Sequence, residues 1–189
     1  MVQNEYSKSH IHPLKLTLWV GIGSIIMMFA ALTSAFVVRR AAGNWYEFKL
    51  PDIFFINTAV ILLSSITLQW SYNAFVKNDE KLYKGLLWVT ALLGFVFVIL
   101  QYKGWEAMNA AGATFTLNPS SSFIYVISGL HAAHVLGGIA ALFVALIFAY
   151  RLPFKPTFKR KSRFELVVQY WHFVDILWLY LIIFFALYL

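Results

Sequence analysis

The sequence predicts an all-α integral membrane protein: one transmembrane domain over residues 1–189, built as a bundle of five spanning helices, with the N-terminus cytoplasmic and the C-terminus periplasmic. Three observations predict it. Hydrophobic residues make up 61% of the chain and charged residues only 12%, too few polar side chains to coat a water-facing surface. Five apolar stretches each reach the roughly 20 residues that a helix needs to cross a bilayer. The lysines and arginines fall unevenly on alternate breaks between those stretches, as membrane orientation requires.

The first span, 16–38, follows a polar, moderately basic tail and closes at Arg39-Arg40. No short apolar core with a small-residue cleavage site precedes it, so it is expected to act as an uncleaved anchor. Leu50-Pro51-Asp52 opens the second span, 53–76, because Pro51 is poorly suited to a helix interior. Lys77-Asn78-Asp79-Glu80-Lys81 is a tight polar turn into the third, 82–102. From Gln101 to Phe123 plain hydropathy weakens, and this stretch is expected to be the longest loop, lying on the membrane interface or against a partner. Asn118-Pro119 and three serines lead into the fourth span, 123–150, long enough to require tilt or protrusion. Pro153 and Pro156 punctuate the loop before the fifth, 166–189. Barrel strands would be about 10 residues long and strictly alternating. These runs are longer and apolar on most faces, so helices are the structures that satisfy their backbone in lipid.

The side holding Arg39, Arg40, Lys49 and Lys103 carries four of the 15 basic residues, and the side of the N-terminal tail carries the other eleven. The positive-inside rule places that richer side in the cytoplasm. The net charge of +7 is therefore a topology signal, and no basic patch interleaved with aromatics is long enough to track nucleic acid. Without cysteine, disulfides, thiolate metal sites and thiol nucleophiles are excluded.

Ionisable groups inside the membrane cost about 2.5–3.5 kcal/mol or more at its centre unless paired, so each calls for a reason. The fourth span carries His131 and His134, three apart and on neighbouring positions of one face. Gly137 and Gly138 follow, small enough to let another helix approach. The fifth carries Glu165, Gln169, His172 and Asp175 in one stripe, with Tyr170, Trp171 and Trp178 around it. Three readings compete. In the first, the histidines and carboxylates of the last two helices satisfy one another and lock those helices together. In the second, the stripe handles lipid headgroups or protons at the rim of the bundle. In the third, the histidines and carboxylates ligate iron, copper or haem, although an i, i+3 pair alone does not supply ligands from facing helices. No glycine-rich phosphate loop, HExxH or GxSxG is present. His10 and His12 read as solvated tail residues, and Lys159-Arg160-Lys161 as a topology signal compatible with anionic-lipid contact.

Ser128-Gly129-Leu130-His131-Ala132-Ala133-His134-Val135 resembles the Gly-x-His-x-x-His-Val motif of subunit III of haem–copper respiratory oxidases. Tyr170-Trp171-His172-Phe173-Val174-Asp175-Ile176-Leu177-Trp178-Leu179 is similar to that family's Tyr-Trp-His-Phe-Val-Asp-x-x-Trp-Leu motif, and Asn57-Thr58 through Ser64-Ser65 to its Asn-Thr-x-x-Leu-x-x-Ser segment. The resemblance covers nearly the whole chain. It implies a short five-helix form, lacking two N-terminal helices of longer members, in a bacterial inner membrane. It implies a non-catalytic accessory subunit of a proton-pumping terminal oxidase, without cofactor or metal of its own, the haem and copper residing in a partner. The expected partners are the catalytic subunit I, other oxidase subunits and phospholipids, and the expected roles are stabilisation and support of proton uptake. On this resemblance His131, His134, Glu165, Gln169, His172 and Asp175 are structural or lipid-adjacent. One departure stands out: where relatives carry a Ser-Glu pair in the first helix, this chain has Ser24-Ile25, so no role of that carboxylate carries over. The homologous accessory protein of nitric oxide reductases is the near alternative. A small carrier or proton channel is the distant one, opposed by the lack of a helix broken at mid-membrane.

Overall fold

A computed structural model describes residues 13–43, 45, 48–116, 118–154 and 157–189. They form five helices: α1 (Pro13–Ala41), α2 (Ile53–Val76), α3 (Glu80–Ala110), α4 (Pro119–Arg151) and α5 (Phe158–Tyr188). All five are long and apolar enough to cross a membrane, and there is no strand among the described residues. At about 1.5 Å per residue they are roughly 36–50 Å long. A hydrocarbon core of about 30 Å is therefore exceeded, and the helix ends reach the headgroups or the helices tilt.

The helices outrun the apolar spans at most ends. α3 continues to Ala110 and α4 begins at Pro119, so the expected long loop from Gln101 to Phe123 contracts to residues 111–118. Hydropathy marks only the lipid-immersed part of a helix, whereas this stretch is held helical by local bonds. Lys103 Nζ meets Glu106 Oε2 at 2.6 Å one turn apart, and Trp105 and Gln101 face the bundle. α5 likewise begins at Phe158 and takes the basic run into its first turns. Lys155, Pro156, His10 and His12 lie outside the described residues.

The turns follow from local chemistry. After α2, Asn78 sits at φ +62°, its N–H on Phe75 O and the next N–H on Ala74 O. After α3, Gly112 at φ +85° repeats the pattern with Asn109 O and Met108 O. Both are Schellman closures, which need a residue that tolerates left-handed backbone. Asp79 then caps α3 through Leu82 N at 3.0 Å, and Asn118 caps α4 through Ser120 N at 3.0 Å.

α2 and α3 form an antiparallel hairpin. α2 also packs on α5, α5 on α4 and α4 on α3, closing a ring of four, while α1 lies outside against α4 and α5. Trp171 of α5 is the piece on which the ring closes. Its indole N–H donates to Ser64 Oγ of α2 at 3.0 Å. Its ring passes so close to Gly94 of α3 and Gly138 of α4 that a Cβ at either would lie 2.8 Å and 2.9 Å from ring carbons. Two turns on, Trp178 donates to Thr58 Oγ1 of α2 at 3.0 Å and packs edge-on to Phe97 of α3. α1 is attached more lightly, through Phe29, through Phe36 and through a 3.0 Å bond between Thr33 and Tyr180. Half of the most apolar window of α5 is buried against only 22% of that of α1, which leaves α1 facing outward.

Overfilling a packed interior costs about 1–3 kcal/mol. Gly138→Ala and Gly94→Ala are therefore each expected to lower the denaturation midpoint of the purified protein in detergent by that margin. Gly85→Ala is expected to hold or raise it, because a Cβ there meets open space and alanine suits a helix interior better than glycine. Following near-ultraviolet circular dichroism against a denaturing detergent checks both.

Candidate functional site

The polar stripe of α5 faces α2, not α4. His172 is half-buried and held at both ring nitrogens by α2: Nδ1 lies 2.5 Å from Ser65 Oγ and Nε2 lies 3.1 Å from Gln69 Oε1. Gln69 is oriented in turn by Asn73, whose Oδ1 accepts from Gln69 Nε2 at 3.3 Å. The carbonyl oxygen of Gln69 is thus the end offered to the imidazole, and Nε2 is the ring nitrogen that donates. Asp175 is 2% exposed. Neither carboxyl oxygen meets a hydrogen-bond partner among the described residues.

Toward the other end of the stripe, Gln169 Nε2 donates to Glu165 Oε1 at 3.3 Å. Glu165 also lies 3.9 Å from Lys15 Nζ of α1, both side chains about two-fifths exposed. A pair this exposed contributes about 0–1 kcal/mol.

The two histidines of α4 sit elsewhere. His131 is fully buried, stacked on Trp178 at 4.9 Å and edged by Phe97 and Phe29 at 5.8 and 6.4 Å. Neither of its ring nitrogens meets a partner among the described residues. His134 turns back on its own helix, with Nδ1 2.7 Å from Leu130 O. The sequence leads one to expect that the histidines of α4 and the acids of α5 satisfy each other, and the geometry corrects this. Their interface is filled by Tyr170 and Trp171 packed over Gly137 and Gly138, with Tyr170 donating to the backbone carbonyl of His134 at 3.1 Å. Of the six residues marked from sequence, Glu165 and Gln169 bond directly, His172 bonds Ser65 and Gln69 of α2, and Asp175 meets no hydrogen-bond partner among the described residues. Among the described residues no three His, Asp or Glu side chains converge as a metal site would require.

Sequence reasoning passed over Ser64 and Ser65 as partners. Their signal was legible: Thr58 and Ser65 stand seven apart on α2, one face of a helix, opposite the stripe of α5.

The sequence matches cytochrome c oxidase subunit III over residues 5–189. The chain belongs to that family. It is 29% identical to human cytochrome c oxidase subunit 3 over 196 aligned positions, covering 95% of this chain and 72% of the human one. It is 38% identical to the probable cytochrome c oxidase subunit 3 of Rickettsia felis, over 70% of this chain and 47% of that protein. It is 36% identical to the chicken subunit 3, over 67% of this chain and 46% of that protein. The chain thus spans about half the length of the Rickettsia and chicken relatives in these alignments. Within a subunit III chain the two histidine motifs now have separate structural settings: the α4 motif an aromatic cage, the α5 motif a hydrogen-bonded seam with α2.

Two substitutions separate these settings. His131→Phe keeps an aromatic ring in an aromatic cage and removes two unpartnered buried nitrogens, so stability is expected to hold or rise. His172→Phe strands Ser65 and Gln69 and is expected to cost about 1–3 kcal/mol. Denaturation midpoints of the two variants in detergent check the contrast. Equal losses would sink the assignment.

Proposed function

We propose that this chain is a non-catalytic accessory subunit of a proton-pumping terminal oxidase in a bacterial inner membrane. It packs beside the catalytic subunit, which carries the haem and copper, binds phospholipid, and supports proton uptake there. Membership of the subunit III family supports the oxidase, and the likeness to the Rickettsia protein supports the bacterial membrane. The observation that carries the non-catalytic role is how the imidazoles are used. His172 has both nitrogens engaged by α2, His134 has Nδ1 engaged by Leu130, and His131 is sealed among three aromatic rings. His172 thus ties α5 to α2, His131 packs between helices, and His134 is tied to its own helix.

Lipid binding draws support from a recess of about 380 Å³ between the end of α4 and the start of α5, walled by Phe75, Phe148 and Phe164 with Arg160 and Arg163 along it. Arg160 is partly committed, donating to Pro153 O at 2.6 Å and Phe148 O at 3.3 Å, which leaves Arg163 for a headgroup. An apolar hollow beside cations suits an anionic amphiphile. The uneven lysine and arginine distribution supports a cytoplasmic N-terminus, which puts this recess on the cytoplasmic side. Large exposed side chains such as Met27, Val20 and Ile176 suit lipid or neighbouring subunits.

The test is purification of the complex in a mild detergent. The chain is expected to co-purify with a haem-bearing oxygen-reducing core and to show no visible haem absorbance once separated from it. A core that reduces nitric oxide would favour the homologous reductase accessory. Haem or copper retained by the separated chain in stoichiometric amount would overturn the proposal.

A further inference from the structure

Two outward faces of the bundle differ in polarity. Across the middle of α3 the exposed side chains are Val89, Leu92, Phe95 and Ile99, which acyl chains solvate well. Along the seam between α2 and α5, Ser65, Gln69, Gln169 and His172 are only half-buried, so part of each meets whatever lies outside the bundle. Gln69 and Ser65 stand seven and eleven residues before the end of α2 at Val76, about 10 Å and 16 Å along the helix. A helix of 24 residues is about 36 Å long and crosses a hydrocarbon core of about 30 Å, so both lie within that core.

The bonds along the seam leave capacity unused. Gln69 gives its carbonyl oxygen to His172 and one amide hydrogen to Asn73, the latter across 3.3 Å. An amide nitrogen carries two hydrogens, and the second stays at a half-exposed position. An acyl chain offers no acceptor, and a lipid headgroup lies at the surface, above this depth. The flanks of the strip are apolar: Leu62 and Ile66 on α2 and Ile176 on α5 are exposed. Residues 62, 66, 69 and 73 recur at helical spacing, as 169, 172 and 176 do on α5, so each helix turns one edge of the same face outward. A polar centre between apolar flanks is the surface against which another helix packs in lipid: the flanks supply close contact, and the centre supplies hydrogen bonds.

We infer that, in the assembled complex, the α2–α5 seam is covered by a membrane-spanning helix of a different chain, carrying a hydrogen-bonding side chain level with Gln69 and His172. The inference rests on the proposed place of this chain in a multisubunit membrane complex and names the face by which it is held there. A second copy fits less well. Two copies meeting by this face about an axis normal to the membrane would bring Glu165 of one toward Glu165 of the other, like charges on the same stripe.

The chain has no cysteine, so single cysteines can be introduced without background. In the purified complex a photoactivatable benzophenone is attached to Ile66→Cys, to Ile176→Cys and, on the apolar reference face, to Leu92→Cys. All three side chains are exposed and stand outside the hydrogen-bonded strip, so the fold is expected to tolerate the changes. After illumination, Ile66→Cys and Ile176→Cys are expected to form adducts with one and the same other chain, and Leu92→Cys with lipid and detergent. Mass spectrometry is expected to place both seam adducts in one membrane-spanning segment that carries a hydrogen-bonding side chain within a turn of the attachment. Seam adducts with lipid alone would overturn the inference while leaving membership of the complex intact. So would adducts joining two copies of this chain, attachment to a wholly apolar segment, or adducts from Leu92→Cys with another chain as frequent as those from the seam. A chain that purifies with no partner would overturn both this inference and the reading beneath it.

Discussion

Helices in lipid gain little from burying leucine against leucine, because acyl chains solvate an apolar side chain equally well. Association must come from close packing and from polar side chains that would otherwise be stranded. Trp171 supplies both at one point. Its ring fills the space left by the missing side chains of Gly94 and Gly138, and its N–H reaches Ser64. One residue of α5 thereby touches α2, α3 and α4. The indole can lie flat between two backbones only because both facing positions are glycine, so the three residues act as one unit.

From that point the α2–α5 seam extends as a series of antiparallel rungs. Gln69 and Ser65 meet His172, Ser64 meets Trp171, and Thr58 meets Trp178. From Ser64 with Trp171 to Thr58 with Trp178 the contacts move down α2 as they move up α5, as neighbouring helices of opposite direction require. Each rung uses a small hydroxyl or amide on α2 and a large ring on α5. The hydroxyls cost little to leave without a cross-helix partner, since Ser64 and Thr58 also donate to carbonyls of their own helix. The rings are large and would be hard to place otherwise. Specificity of the pairing therefore resides in α5, and α2 reads it.

The fold was legible because hydropathy over about 20 residues is a strong signal, and the five spans are where the apolar runs predict. The ends were not, because Trp105, Lys103 and the basic turn of α5 are good helix members that hydropathy counts as loop. Within the site the stripe of Glu165, Gln169, His172 and Asp175 was visible from spacing alone. Which helix it faces was not. Glycines beside histidines on α4 invite a pairing of α4 with the polar face of α5, yet those glycines receive the aromatic face of α5 instead. Two faces of α5 offered themselves to α4, and ring size decided between them. The pairing of Ser65 with His172 joins residues 107 apart in sequence, a relation that no local pattern encodes.

The polar groups of α5 are arranged by how much water each can reach. Glu165, near the helix start, lies beside a partly exposed lysine and an amide. Three residues beyond Gln169, His172 is half-buried and relies on hydrogen bonds from an uncharged helix. One turn further Asp175 is almost fully enclosed, and neither carboxyl oxygen meets a partner among the described residues. An ion pair of the kind Lys15 makes with Glu165 would be expensive at the depth of Asp175, where the cost of desolvating two charges outweighs their attraction unless every lone pair is met. The change along α5 from an ion pair at Glu165 to hydrogen bonds with uncharged partners at His172 is the order that falling solvation imposes on one polar stripe.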